Sequence, residues 1–254
     1  MRCLLALVAL LSWVTLSGCG GDAGGSQSKS TPTLRVSAAA SLKQSFTRYG
    51  EAFSAARARF SFAGSDELAA QIRAGARPDV FAAANAKLPA ALYAAGLVER
   101  PVAFARNRLV LAVPSAGTKV QRLEDLARPG ITIAMGAPSV PVGSYTRKVL
   151  GGLSATQRSA ILANVRSNEP DVAGVVGKLA QGAADAGFVY VTDVKAAGGR
   201  LRAIELPAPL RPDVVYEAAV VKGTKHAEAA RAFVRGLLTG AGRQALGQAG
   251  FQAP

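Results

Sequence analysis

Short apolar segments typical of strands alternate with amphipathic segments typical of helices from residue 34 to residue 238 of this 254-residue chain. Residues 34–38 indicate a strand, and the apolar side chains of Leu42, Phe46, Tyr49 and Phe53 then recur at helical spacing. Such alternation predicts an α/β protein with mostly parallel sheets. In proteins of this class, ligands bind at the carboxyl ends of the strands, where helices begin.

The same periodicities place the remaining elements. Further strands are predicted at residues 60–63, 80–83, 109–113, 131–135, 188–191 and 216–221. Further helices are predicted after Gly64 with an end at Gly75, from about Ser144, over 172–181 and over 227–238. Ser41 is expected to cap the first helix, with Gln44 completing a capping box.

The amino-terminal segment is predicted to be an export signal. Arg2 precedes an almost purely apolar run that ends at Leu16 and is short for a membrane-spanning helix. The next residues, Ser17-Gly18-Cys19, complete a sequence similar to the bacterial lipobox, which implies a lipoprotein signal peptide over 1–18 and lipid on Cys19. An ordinary signal peptide with an incidental cysteine is the alternative. The Gly/Ser-rich residues 19–30 are expected to form a flexible tether.

Composition excludes several classes of function. The net charge is 30 − 16 = +14, but the basic residues occur singly or in spaced pairs such as Arg57 and Arg59, so we expect no nucleic-acid partner. One histidine and two cysteines are too few for a site in which these residues ligate a metal ion. The histidine, His226, lies in a polar segment that does not suit a Ser-His-Asp hydrolase.

Three predicted strand-to-helix turns share one chemistry. Residues 38–41, 63–65 and 140–144 are small or apolar, contain a serine and open a helix. The first turn of a helix has unpaired backbone N–H groups and the positive end of the helix dipole, and it therefore favours an anion. A serine at any one of these positions is also compatible with an ordinary helix cap.

The chain resembles the periplasmic molybdate-binding proteins of ABC importers. The resemblance covers residues 34–251, and its most specific stretches are AAASL at 38–42, FAGS at 62–65, PDVFA at 78–82, VPVG at 140–143 and GFVY at 187–190. It implies a type II periplasmic binding protein fold, in which two α/β lobes are joined by two crossing hinge strands. It also implies that an oxyanion binds in the cleft between the lobes.

By position, the resemblance assigns five residues to the oxyanion. Ser41 and Ser65 would donate hydroxyl and backbone N–H groups from the first lobe, Val142 and Val172 would donate backbone N–H groups from the second, and Tyr190 would donate its hydroxyl. The ligand is expected to be molybdate or tungstate, bound through its oxygens, with no cofactor. Donors without acceptors suit a fully deprotonated dianion, whereas phosphate near neutral pH carries a proton and needs an acceptor.

The resemblance also predicts the domains and the role of the chain. Lobe I is expected to comprise residues 31–107 and 218–254, lobe II residues 108–217, with hinges near 106–110 and 214–219. The expected role is that of a monomeric, lipid-anchored protein of the cell envelope. It would close on the anion and deliver it to an ABC import permease.

Asp66 departs from the family pattern, which often has a small polar residue after the matching serine. It is expected to lie in the first turn of a helix, where negative charge is favourable; turned into the cleft, it would repel a dianion. Four alternative functions stay open: a carrier of another oxyanion such as sulfate, an enzyme on the same fold, the effector domain of a transcription regulator, and an adhesive or structural protein. An enzyme would need an acid, base or nucleophile at the cleft.

Overall fold

Residues 31–254, which the computed structural model describes, contain ten strands and nine α-helices. The strands are β1 (Thr33–Ala39), β2 (Arg57–Ala63), β3 (Val80–Ala83), β4 (Val102–Asn107), β5 (Leu109–Pro114), β6 (Ile133–Gly136), β7 (Val165–Glu169), β8 (Ala186–Tyr190), β9 (Leu201–Ile204) and β10 (Val214–Val220). The helices are α1 (Lys43–Ala52), α2 (Ser65–Arg73), α3 (Lys87–Ala94), α4 (Pro141–Gly151), α5 (Ala155–Ala163), α6 (Val172–Ala180), α7 (Val191–Ala196), α8 (Ala227–Leu238) and α9 (Gly240–Ala249). The predicted α/β class is confirmed.

The strands form two five-stranded sheets, in the orders β2-β1-β3-β10-β4 and β7-β6-β8-β5-β9. In each sheet the first three strands are parallel, and the other two pairings are antiparallel. The sheets are therefore mixed, whereas the alternation of elements predicted mostly parallel pairing. The antiparallel pairings all involve β10 or β5, the strands by which the chain enters one sheet from the other.

The chain crosses between the sheets twice. Arg108 alone separates β4 of the first sheet from β5 of the second, and its carbonyl accepts the backbone N–H of Val191 at 2.9 Å. The return runs through residues 205–213 to β10, all of which pairs within the first sheet. The lobe boundary predicted at residues 217 and 218 falls inside β10, because an extended segment carries no local signal for the sheet it joins.

Most predicted elements are close to the observed ones. Helix α2 ends as expected before Gly75, whose φ of +105° is a conformation that favours glycine. Four helices and three strands were not predicted: α3, α5, α7, α9, β4, β7 and β9. Helix α5 did carry a signal, because Ser154 and Gln157 form the capping box that precedes it.

An aromatic cluster packs α1 and α8 onto the first sheet. Helix α8 has its buried side chains at helical spacing, and one of them, Phe233, is fully buried. The ring of Phe233 lies 5.6 Å from that of Phe46, 4.6 Å from that of Tyr49 and 5.2 Å from that of Phe53, measured between centroids. This cluster packs α8, from the carboxyl-terminal part of the chain, against α1.

The predicted signal peptide, the lipidation site at Cys19 and the tether over 19–30 lie outside the described residues. Among the helices of residues 31–254, none has the length and apolar character needed to cross a membrane.

We expect Phe233→Ala to lower the free energy of unfolding by ~3–5 kcal/mol, because it removes a buried ring and leaves a cavity between α1 and α8. Urea denaturation of the wild type and the variant measures the change. Tyr93→Ala on α3, whose side chain is exposed, is the matched control and should change stability by ~0.5 kcal/mol or less. Equal effects of the two substitutions would contradict the assigned packing.

Candidate functional site

One cavity is lined by residues at the carboxyl ends of the parallel strands of both sheets. From the first sheet, the lining residues follow or end β1, β2 and β3: Ala39, Ala40, Ser41, Ala63, Gly64, Ser65 and Ala84. From the second sheet, they follow β6 and β7 or end β8: Val140, Pro141, Val142, Asp171, Val172 and Tyr190. The arrangement explains why the site needs two sheets, since each supplies one wall.

The structure places all five residues that the sequence assigned to the oxyanion on this cavity: Ser41, Ser65, Val142, Val172 and Tyr190. The space within it that admits the centre of a water molecule is about 20 Å³. A cavity of that size suits one small ion and is too small for an organic solute. Among the described residues that line it, none is lysine, arginine or histidine.

Three helices begin at this cavity. Helix α2 starts at Ser65, α4 at Pro141 and α6 at Val172. The first N–H groups of a helix have no partner within the helix, and they lie at the positive end of its dipole. Pro141 has no N–H, so Val142 supplies the first donor of α4. The side chain of Asp171 caps α6 by accepting the N–H of the third residue at 2.9 Å, which leaves the N–H of Val172 available.

The two serines do not act as helix caps. The predicted capping box of Ser41 and Gln44 is wrong, because a 3-10 turn over Ala40–Leu42 precedes α1 and no side-chain cap bond is present at either element. The hydroxyl of Ser41 instead lies 2.8 Å from that of Tyr216 on β10. The hydroxyl oxygen of Ser65 accepts the backbone N–H of Ala84 at 3.1 Å. In both cases a distant partner competes with the local cap.

The hydroxyl of Tyr190 is the most direct sign of a ligand. Its side chain is 1% exposed, and its oxygen is buried with no hydrogen-bond partner among the described residues. Burial raises the pKa of Tyr190 well above its ordinary value, so the group stays protonated and can donate. Leaving a buried hydroxyl unpaired costs ~1–3 kcal/mol, and an acceptor bound in the cavity would remove that cost.

Besides Asp171, two carboxylates lie near the cavity without lining it. Asp66 is in the first turn of α2 and is not a lining residue; its Oδ1 atom is buried without a partner among the described residues. Asp193 is behind Tyr190, whose backbone N–H it accepts at 2.8 Å. Burial, with a smaller contribution from the nearby negative charge of Asp171, raises the pKa of Asp193 to about 7, although the hydrogen bond from the backbone of Tyr190 acts to lower it.

Three residues of this region were not predicted: Asn107, Thr192 and Tyr216. All three are buried, and Asn107 donates from Nδ2 to the hydroxyl of Thr192 at 2.9 Å. Tyr216 gave no signal of its own because it is one residue of a strand with ordinary alternation. The asparagine at the end of β4 and the threonine after Tyr190 are polar residues beside strand ends, which is the signal that could have identified them.

The walls of the cavity approach most closely at Gly64. A methyl group placed on its Cα atom would lie 2.5 Å from the carbonyl oxygen of Pro170, which precedes α6 on the opposite wall, and 2.8 Å from Oδ1 of Asp66 on its own wall. The backbone of Gly64 has φ of −58° and ψ of 135°, which any residue adopts. Glycine is therefore required here by the approach of the two walls and not by the conformation of the chain.

Comparison with known proteins identifies the family. The family model described as "Bacterial extracellular solute-binding protein" matches residues 34–252. The chain belongs to this family.

Relatives of this solute-binding protein match it over nearly their whole length. The molybdate-binding protein ModA of Mycobacterium tuberculosis is 37% identical, and the match covers 98% of this chain and 97% of the relative. A Bacillus subtilis protein described as the putative ABC transporter substrate-binding lipoprotein YvgL is 28% identical over 97% of this chain and 96% of its own length. The solved periplasmic molybdate-binding protein of Azotobacter vinelandii superposes with a TM-score of 0.78, with 23% identity and coverage of 87% of this chain and 99% of that one, which shows a common fold.

We expect the buried carboxyl of Asp193 to make the stability of this solute-binding protein depend on pH. In the unfolded chain the group titrates near 3.8, whereas in the folded protein its pKa is about 7. Between these values the folded state binds more protons, so stability falls as pH rises from about 4 to about 7, by ~1.4 kcal/mol per pH unit, and then levels off.

Urea denaturation of the wild type and Asp193→Asn across this range measures the effect. The variant has no proton to lose at this position, so the wild type should lose stability relative to it as pH rises. A difference between the two proteins that does not change with pH would contradict the assignment.

Proposed function

We propose that this solute-binding protein captures molybdate in the cavity between its two sheets and delivers it to an ABC import permease. One observation carries the proposal: uncharged donors from both sheets meet at one small cavity, and one of them, the hydroxyl of Tyr190, is buried without a partner among the described residues. The 37% identity to a relative named as a molybdate-binding protein supports this choice of ligand.

The proposed contacts are those of the sequence assignment. Ser41 and Ser65 donate through their hydroxyl and backbone N–H groups, Val142 and Val172 through backbone N–H groups, and Tyr190 through its hydroxyl. Hydrogen bonds to charged groups contribute ~1.5–3 kcal/mol each. Micromolar to nanomolar affinity requires ~8–12 kcal/mol, which five to seven such bonds supply.

Closure couples binding to transport in this proposal. Lobe I contains the first sheet, with the whole of β10, lobe II contains the second sheet, and the two crossing segments act as the hinge. The donors of the two lobes meet only when the cleft is shut, so the anion stabilises the closed form over the open one. The permease then recognises the closed form. The contact of Gly64 with the opposite wall supports a role for close approach of the lobes.

The remaining parts of the proposal concern the anchor, the ligand range and catalysis. Tungstate is accepted with molybdate, because both present four oxygens and no proton.

Lipid on Cys19 holds the protein, as a monomer, in the cell envelope, and the description of the Bacillus subtilis relative as a lipoprotein supports this. The site binds and does not catalyse: the one carboxylate among its lining residues, Asp171, is occupied in capping α6.

Calorimetric titration of the purified protein with molybdate, tungstate, sulfate and phosphate tests the proposal. We expect the first two to bind, and the others to bind at least about a hundredfold more weakly, a gap of ~2.7 kcal/mol. Ser41→Ala or Ser65→Ala should each weaken molybdate binding by ~1–3 kcal/mol. Preferred binding of sulfate would support the alternative carrier, and no effect of either substitution would refute the assigned site.

Gly64→Ala tests closure separately from the donors. The added methyl group would meet the carbonyl oxygen of Pro170, so we expect molybdate affinity to fall about tenfold or more with little change in the melting temperature of the unliganded protein. Gly177→Ala on α6 is the matched control, since its methyl group meets nothing within 4 Å and should leave affinity unchanged. Equal affinities of the two variants would rule out the proposed approach of the walls.

A further inference from the structure

The oxygen atoms of both cavity serines already have a hydrogen-bond partner within the protein. Ser65 Oγ accepts the backbone N–H of Ala84 at 3.1 Å, so the hydrogen of that hydroxyl is left for a ligand. Ser41 Oγ lies 2.8 Å from the hydroxyl of Tyr216, and either hydroxyl can be the donor on geometry alone. What Ser41 offers the ligand depends on which of the two donates, because a hydroxyl has only one hydrogen.

Asn107 settles the direction of this bond. Its Oδ1 atom accepts the backbone N–H of Arg108 at 2.9 Å, which fixes the orientation of the side-chain amide. Its Nδ2 atom therefore faces the hydroxyl of Thr192 at 2.9 Å and, at a longer 3.5 Å, the hydroxyl of Tyr216. Asn107 thus offers Tyr216 a donor and no acceptor. The neighbouring hydroxyl of Tyr190 has no hydrogen-bond partner among the described residues, so Ser41 Oγ, at 2.8 Å, is the acceptor for the hydrogen of Tyr216.

The environment of Tyr216 maintains this direction. Tyr216 is fully buried, and burial raises its pKa well above the ordinary value, so the hydroxyl keeps its hydrogen. Once Ser41 Oγ accepts that hydrogen, its own hydrogen is free to point to the cavity. The sequence of bonds then runs from Asn107 through Tyr216 and Ser41 to the ligand, each group donating to the next.

We propose that Tyr216, oriented by Asn107, is a positioning residue that determines specificity by making Ser41 a donor to the bound oxyanion. With Ser65 held in the same way by Ala84, each serine has its hydrogen free for the ligand and one of its two lone pairs already used. An oxyanion with no proton can use both donors, whereas hydrogen phosphate brings a hydrogen that has to compete with these bonds for a serine oxygen. The inference rests on the proposed function and deepens it, because it names the residues that select the protonation state of the ligand.

The residues that orient Ser41 also lie at the hinge between the two sheets. Tyr216 is on β10 and Asn107 ends β4, and these are the strands at the two crossings between the sheets. The bond from Asn107 to Thr192 joins the end of β4 to α7, which follows β8 of the second sheet. The same buried bonds therefore orient Ser41 and connect the two walls of the site.

Tyr216→Phe tests the inference, because it removes the donor and keeps the ring. We would titrate the wild type and the variant with molybdate, sulfate and inorganic phosphate at mildly alkaline pH, where phosphate is a dianion that still carries one proton. Molybdate and sulfate should each bind about tenfold more weakly, the effect of one hydrogen bond. Phosphate should bind as well as before or better, since Ser41 is then free to accept its proton.

The expected result is therefore a rise of about tenfold in the ratio of phosphate to molybdate affinity, with the ratio of sulfate to molybdate unchanged. Tyr49→Phe is the matched control: Tyr49 is also buried, but its hydroxyl donates to the carbonyl of Phe233, away from the site. It should alter neither ratio. Equal weakening of all three anions in Tyr216→Phe would show that Tyr216 serves only the packing of the protein and would overturn the inference.

Asn107→Asp provides a second, independent test. A carboxylate at this position accepts the hydrogen of Tyr216, so Ser41 loses its donor and the phosphate-to-molybdate ratio should again rise, although the added charge weakens all three anions. An unchanged ratio in this variant also counts against the inference. Titration of the wild type distinguishes failure of the inference from failure of the proposed function. If the wild type binds molybdate but the affinity ratios are unchanged in the variants, the inference fails and the proposed function stands. If the wild type binds none of the anions, both fail.

Discussion

Unpaired hydrogen-bond donors in a small cavity are the constraint around which this structure is built. The first turns of α2, α4 and α6 direct N–H groups to one point, and the hydroxyl of Tyr190 is added there without a partner among the described residues. Such groups are costly to bury unless an acceptor reaches them. An acceptor bound in the cavity would remove this cost.

The two sheets follow from that constraint. Within a parallel sheet the carboxyl ends of the strands lie on one edge, so a single sheet can surround a ligand on one side only. Here each sheet has a parallel group of three strands, and the crossings at Arg108 and at residues 205–213 let the two edges face each other. The alanines and glycine among the lining residues then allow backbone to approach the ligand.

The sequence predicted the parts of the site that depend on local structure. The family resemblance assigned all five residues, and the local pattern agrees with most of them. Ser41, Ser65 and Val142 lie in the three predicted strand-to-helix turns, and Val172 begins a predicted helix. Together these five residues could be placed on one cavity before the fold was known.

The bonds that orient those donors could not be predicted, since they join residues far apart in the chain. Ser65 bonds to Ala84, 19 residues on, and Ser41 to Tyr216, 175 residues on. The prediction of a capping box at Ser41 was wrong for this reason. The local sequence pattern was present, but the hydroxyl of Ser41 bonds to Tyr216 instead of to the helix. The antiparallel pairing of β10 was not predicted for the same reason. The sequence of a strand does not determine which other strands lie beside it in the folded protein.

The strong positive charge of the chain and the uncharged cavity have separate roles. A net charge of +14 raises the local concentration of any anion. A groove of about 560 Å³ shares Ala40 and Ser41 with the cavity. Its charged lining residues are Lys43, Arg48, Arg200, Glu51 and Asp193. Charge of this kind attracts molybdate, sulfate and hydrogen phosphate alike, because all three are dianions.

Discrimination among these anions therefore has to arise inside the cavity, where none of the described lining residues is a lysine, arginine or histidine. A lysine or arginine inside the cavity would strengthen binding of every dianion and reduce the share of the affinity that depends on the direction of hydrogen bonds. Fixed N–H and O–H groups respond to the size of the ion and to whether it carries a proton. In the proposed function, the cations of the adjoining groove gather anions by charge, and the neutral donors of the cavity select among them by hydrogen bonding.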